Sequence, residues 1–170
     1  VSDLEQISNN RIIKLGVVVD NLEEAFQYYV ELFKLDPTKM RAPKPKPTDS
    51  ELSLAPAAAP EGGNTPFVWF RGEYRNARCR TAIIPLEPIY LELIEPYDEL
   101  SPWTEFREKH GPGIHFMTFH IDGFEEHIEL MESKGMPAFH KQEKGKERYA
   151  YFDSVAKLGA TIEFKEIDKN

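Results

Sequence analysis

The side chains best suited to chemistry in this chain are carboxylates, and they recur. LELIE at Leu91 and IEFKE at Ile162 superpose with an offset of 71, so Glu92 meets Glu163 and Glu95 meets Glu166. A longer echo sets KLGVVVDNLEEAFQYYVEL, from Lys14, above FMTFHIDGFEEHIELMESK, from Phe116, with an offset of 102 and no gap. It pairs Asp20 with Asp122, Glu23 with Glu125 and Glu24 with Glu126. A carboxylate can act as a general base or as an oxygen ligand to a metal. The one cysteine, Cys79, excludes an internal disulfide and a Cys-rich zinc site.

Each copy of the repeat begins with a strand, because Val17–Val19 and Met117–Ile121 are short runs of β-favouring residues. A helix follows. Asn21 with Glu24 forms an N-x-x-E start, and Leu22, Ala25, Tyr29, Leu32 and Phe33 share a face at helical spacing. In the second copy Phe124, Ile128 and Met131 make that face, and Gly135 ends the helix. Strand-like segments come next: FVWF (67–70), CRTAII (79–84) and IYLELIE (89–95), then RYAYFD (148–153) and ATIEFKE (160–166). Each module reads β-α-β-β-β, so the expected class is α+β. The first module spans 11–100 and the second 114–167. Ser101-Pro102-Trp103 starts a linking helix that ends at Gly111-Pro112-Gly113, giving a connector over 101–113. Residues 42–66, rich in Pro, Ala and Gly, read as a long loop: a solvated insertion or a lid.

Composition narrows the function classes. The 170 residues carry 21 Lys+Arg against 29 Asp+Glu, a net charge of −8, which disfavours nucleic-acid binding. With 41% hydrophobic residues the chain should fold. No apolar run reaches the ~20 residues of a membrane span, and VSDLEQISNN lacks the apolar segment of a signal peptide. A cytoplasmic protein is expected, and open sheet edges favour a homodimer.

Paired modules with LELIEPYDELSPW (91–103), GPGIHFMTFHID (111–122) and ATIEFKE (160–166) resemble the vicinal-oxygen-chelate superfamily, which includes glyoxalases, bleomycin-resistance proteins and dioxygenases. Within it the chain most resembles methylmalonyl-CoA epimerases. The resemblance implies a glyoxalase-like fold in which the modules form paired open cups around a pocket. It also implies a divalent metal held by His, Glu or Gln, His and Glu. Those positions fall on Lys14, Glu92, Phe116 and Glu163, so both carboxylates are present and both histidines are absent. An ammonium repels a cation, and the nitrogen ligands are missing. No catalytic metal and no cofactor are expected. His115 precedes Phe116 on a strand and should point to the helix layer, while His120 shares the face of Phe116 but lies ~13 Å along the strand.

The epimerases implied by the resemblance remove a proton α to a carbonyl and hold the enolate on metal. Here Lys14 would supply the positive charge and Glu92 or Glu163 the base. Phe116, His120, Tyr90, Trp69 and Thr118 complete the candidate substrate-binding set. The expected function is a metal-independent epimerase, racemase or related isomerase for an aromatic ketone or an acyl-CoA. The competing reading is a small-molecule-binding protein in which Lys14 plugs a disused metal site through salt bridges to Glu92 and Glu163. Arg71, Arg75, Arg78 and Arg80, with Arg41, Lys44 and Lys46, either hold CoA phosphates or guard a solvated edge. His110, His127 and His140 are expected to face solvent.

Overall fold

The computed structural model describes residues 3–48 and 66–168; most of the 42–66 loop lies outside the described residues. Among the described residues the elements are mixed α and β, as expected, and they form two compact units. One holds residues 14–48 and 77–115, the other 3–13, 66–76 and 116–168.

In the unit of the first repeat, β1 (Ile12–Val18) pairs in parallel with β5 (Ile89–Pro96), which pairs antiparallel with β4 (Cys79–Leu86). Helix α1 (Leu22–Phe33) covers one face. Asn21 caps it, its side chain accepting the Glu24 amide at 3.0 Å. Leu22, Ala82, Ile84, Leu91 and Leu93 form the core, with Ala25, Phe26 and Tyr29 packed on it. The buried stripe therefore runs through Leu22, Phe26 and Tyr29. Leu32 and Phe33, expected on that face, are 75% and 55% exposed; they end the helix, and Phe33 stays on the stripe, stacked on Tyr29 at 5.9 Å. Helix α2 (Pro102–His110) begins in a capping box between Ser101 and Thr104.

In the other unit the strand order is β3-β2-β7-β8-β9-β6. Strand β6 (Gly113–His120) runs parallel to β9 (Thr161–Glu166), and β8 (Glu147–Phe152), β7 (Ala138–Lys144), β2 (Phe67–Phe70) and β3 (Glu73–Tyr74) continue antiparallel. Helix α3 (Phe124–Ser133) packs Phe124, Ile128 and Met131 against Ala138, Ala150, Phe152, Ile162 and Phe164. A one-turn helix α4 (Val155–Leu158) precedes β9.

Two features depart from the sequence reading. AFHKQEK forms β7 although its composition is polar, since it lies between two strands that supply its hydrogen bonds. FVWF, assigned to the first module, pairs with β7 in the unit of the second. Phe70, 1% exposed, is held there against Phe139 and His140 at centroid distances of 6.2 and 6.4 Å. Burying an aromatic side chain on an otherwise unpaired edge outweighs sequence order.

Candidate active site

Alternation on β1 turns Leu15 and Val17 to the helix and Lys14, Gly16 and Val18 to the opposite face. Register pairs Lys14 with Tyr90 and Gly16 with Glu92. Lys14, 4% exposed, reaches diagonally past Gly16, and its Nζ donates to Glu92 Oε2 at 2.6 Å. Arg41 forms an isolated bridge with Ile83; its guanidinium donates to Thr81 Oγ1 at 2.7 Å and stands 3.7 Å from Glu92 Oε1. Two cations therefore bracket Glu92. Tyr90, half-buried, lies on the same face one rung away.

In the other unit Glu163 is 2% exposed, and its Oε2 accepts the Thr118 hydroxyl, its register partner on β6. Phe116 is fully buried, its ring tilted against that of Tyr151 with centroids 4.6 Å apart. Register brings Tyr151 directly beside Glu163 on β8, and His140 beside Tyr151 on β7, with rings 4.8 Å apart. His140 is on this face because a bulge shifts the register between Ala138 and His140, leaving Ala138 in the helix-side core. It is 1% exposed rather than solvent-facing. His120, half-buried, pairs with Lys165. Trp69 is turned to the other face of β2 from Phe70 and lies under the Lys141 ammonium at 5.2 Å, so the structure does not bring it to Glu163.

The repeated carboxylates divide by strand parity. Glu95 and Glu166 stand three residues past Glu92 and Glu163, so they point to the helices. Glu95 accepts the Leu22 amide at 2.8 Å at the start of α1 and a bond from buried Arg80 at 3.1 Å, while Arg80 also binds Glu23. Glu166 accepts the amides of Gly123 and Phe124 at 3.0 and 3.2 Å, with Arg148 bound to both Glu166 and Glu125. Gly123 takes φ +82° to offer its amide. These two Arg–Glu–Glu sets seat helix N-termini on strand ends. The Arg80 hydrogen bond holds the Glu23 carboxyl below its ordinary value.

The arginine run is committed to internal partners. Arg71 lies over Phe139 at 4.9 Å, Arg75 binds Glu73, and Arg78 binds Glu99 at 2.9 Å. His115 stacks on Phe106 of α2 at 4.5 Å, facing the helix layer as expected, and burial pushes its imidazole down to about 4. His127 is also buried: its Nδ1 donates to the Gly123 carbonyl and its Nε2 accepts the Ser8 amide.

Among the described residues no group of three His, Cys, Asp or Glu side chains is placed to hold a metal ion. The donor chemistry agrees. An ammonium has no lone pair to offer, and Lys14 already occupies Glu92 Oε2. The metal set implied by the family does not fit these residues.

Residues 14–152 match the Glyoxalase/Bleomycin resistance protein/Dioxygenase superfamily, and the chain belongs to it. Among solved structures it is similar to a hypothetical protein from Bacillus halodurans C-125: 20% identity, TM-score 0.60, covering 94% of this chain and 96% of that one. It is similar to methylmalonyl-CoA epimerase from Mycobacterium tuberculosis, at 16% identity and TM-score 0.56, covering 91% and 86%. A methylmalonyl-CoA epimerase from Streptomyces coelicolor, solved with 2-nitronate-propionyl-CoA, shares 17% identity at TM-score 0.59, covering 94% and 98%. These likenesses establish the fold. A search of curated proteins finds no match.

Proposed function

We propose that this protein is an isomerase of the epimerase or racemase type that works without a metal ion, removing a proton α to a carbonyl and returning it. The observation that carries the reading is the buried Lys14 ammonium, 2.6 Å from the Glu92 carboxylate on one sheet face. The Cα–H bond of the substrate breaks, its proton passes to Glu92 or Glu163, and its electron pair forms the Cα=C bond of the enolate as the carbonyl π pair moves to oxygen. Lys14 stabilises the enolate oxygen; one preorganised contact of this kind contributes ~3–4 kcal/mol. The Thr118 hydroxyl holds the carboxylate of Glu163. Return of the proton to the opposite face of the carbon gives inversion, and its return to a different carbon gives a double-bond isomerase. The substrate is an aromatic ketone or an acyl-CoA. The methylmalonyl-CoA epimerases that share the fold support the choice of reaction class.

Solvent deuterium exchange at the α-carbon, followed by NMR, tests the reading with propionyl-CoA and 4-hydroxypropiophenone as probes. Wild-type protein should exchange one of them. Lys14→Met should slow exchange by about 100-fold or more, and Glu92→Gln or Glu163→Gln should abolish it. Unchanged exchange in both carboxylate variants removes them from the mechanism. The pairing of Lys14 with Glu92 also favours a second reading, a binding protein whose ammonium is already charge-matched. That reading gives saturable binding with no exchange, and Glu163→Gln leaves affinity intact.

A further inference from the structure

A cleft of about 520 Å³ opens at the end of β5, within the unit of the first repeat. Glu95 lies in its wall, on the opposite face of the strand from Glu92, so the cleft is separate from the candidate active site. Its volume is that of a small-molecule site. Tyr97, Pro47 and Pro96 supply the apolar part of the wall. The charged groups divide into committed and available ones. Arg78 forks onto Glu99, with contacts at 2.9 and 3.3 Å, and Glu95 is held by buried Arg80. Asp20, which the repeat pairs with Asp122 and the corner at α1 does not use, is exposed, and its side chain makes no hydrogen bond or ion pair among the described residues. Among the same residues the Arg107 guanidinium meets Asp98 alone, at 3.4 Å, and that carboxylate is fully exposed, so the pair adds little. Lys46, 70% exposed, stands 3.6 Å from Glu95.

The cleft therefore presents an available carboxylate and two loosely held cations beside an apolar surface. A lone anion gains the cations but faces Asp20. A lone cation gains Asp20 but faces Lys46 and Arg107. A molecule carrying both charges satisfies both sets. We propose that this cleft binds a small zwitterion with an aromatic ring, the chemistry of an aromatic α-amino acid. Asp20 accepts from its ammonium, Lys46 and Arg107 donate to its carboxylate, and its ring packs on Tyr97 and the two prolines. The site does not depend on the isomerase reading, because none of its residues belongs to the Lys14–Glu92 pair or its neighbours.

Calorimetric titration tests it with four ligands: L-phenylalanine, 3-phenylpropionate, which lacks the ammonium, phenethylamine, which lacks the carboxylate, and L-alanine, which lacks the ring. Wild-type protein should bind L-phenylalanine about tenfold more tightly than each of the other three. Two variants, each checked for folding by circular dichroism, place the charges. Asp20→Asn should cut the advantage over 3-phenylpropionate to about twofold and leave the advantage over phenethylamine. The double variant Lys46→Gln with Arg107→Gln should do the reverse. No binding of L-phenylalanine by wild-type protein, or equal or tighter binding of any of the other three ligands, would overturn the proposal without recourse to a variant. Both advantages surviving in both folded variants would show that the amino acid binds elsewhere and would overturn it as well.

Discussion

Replacing His115 with Phe should flatten the acid limb of the stability curve. The imidazole is 8% exposed and stacked on Phe106, and burial lowers it from 6.5 to about 4; the nearby Glu105 works in the other direction and His110 adds to the lowering. Between these two values the unfolded chain takes up a proton that the folded chain refuses. Stability therefore falls as pH drops through this window, and the loss is complete below the folded value. The linkage relation gives a loss of about 2 kcal/mol at pH 5 and about 3 kcal/mol at pH 4 relative to pH 8. A phenyl ring keeps the stack on Phe106 and does not titrate. Urea denaturation of wild-type and His115→Phe proteins at pH 8, 6, 5 and 4 provides the assay, read as the difference between the two at each pH. The difference should grow in favour of the variant below pH 6.5. Parallel curves from pH 8 to pH 4 would show that His115 titrates normally in the folded protein, and that the packing of α2 leaves it hydrated.

Arg80→Met removes the buried cation shared by Glu95 and Glu23, leaving Glu95 only the exposed Lys46 ammonium at 3.6 Å, and should cost about 3 kcal/mol, with faster amide exchange at Leu22. Phe70→Ala, at a site 1% exposed, should cost about 3–5 kcal/mol and raise hydrogen exchange in residues 67–74 before the rest of their unit. Ser101→Ala removes the capping box of α2 and should lower stability by about 1 kcal/mol in thermal or urea melts, leaving probe affinity unchanged.

The elements with local signals were legible. Asn21 and Ser101 announce their helices because a side-chain oxygen must meet the orphan amides whatever the tertiary context. The strands carrying Lys14, Glu92, Thr118 and Glu163 are readable from β-branched runs, and period two assigns their faces. What failed depended on distant partners. FVWF has the same propensity whether it joins β4 or β7, and only the fit of Phe70 to Phe139 and His140 decides. His140 was unreadable because one bulge residue reverses the parity of β7, and no composition marks the bulge. Arg41 reaches Glu92 through a single bridge to Ile83, which leaves no periodic trace.

The repeat itself conveyed two messages in one alphabet. Glu92 with Glu163 and Glu95 with Glu166 look equivalent in the sequence, yet an odd spacing on a strand sends the pairs to opposite faces. The pair that meets α1 and α3 takes backbone amides and an arginine in both copies, so its repetition follows from building the same strand-to-helix corner twice. The other pair lies on the opposite face, where Glu92 accepts the Lys14 ammonium and Glu163 accepts the Thr118 hydroxyl. A corner needs identical partners each time it is built. Under the proposed isomerase reading, the carboxylates beside Lys14 and Thr118 do the chemistry, while the Arg–Glu–Glu corners, built alike in both copies, do the architecture.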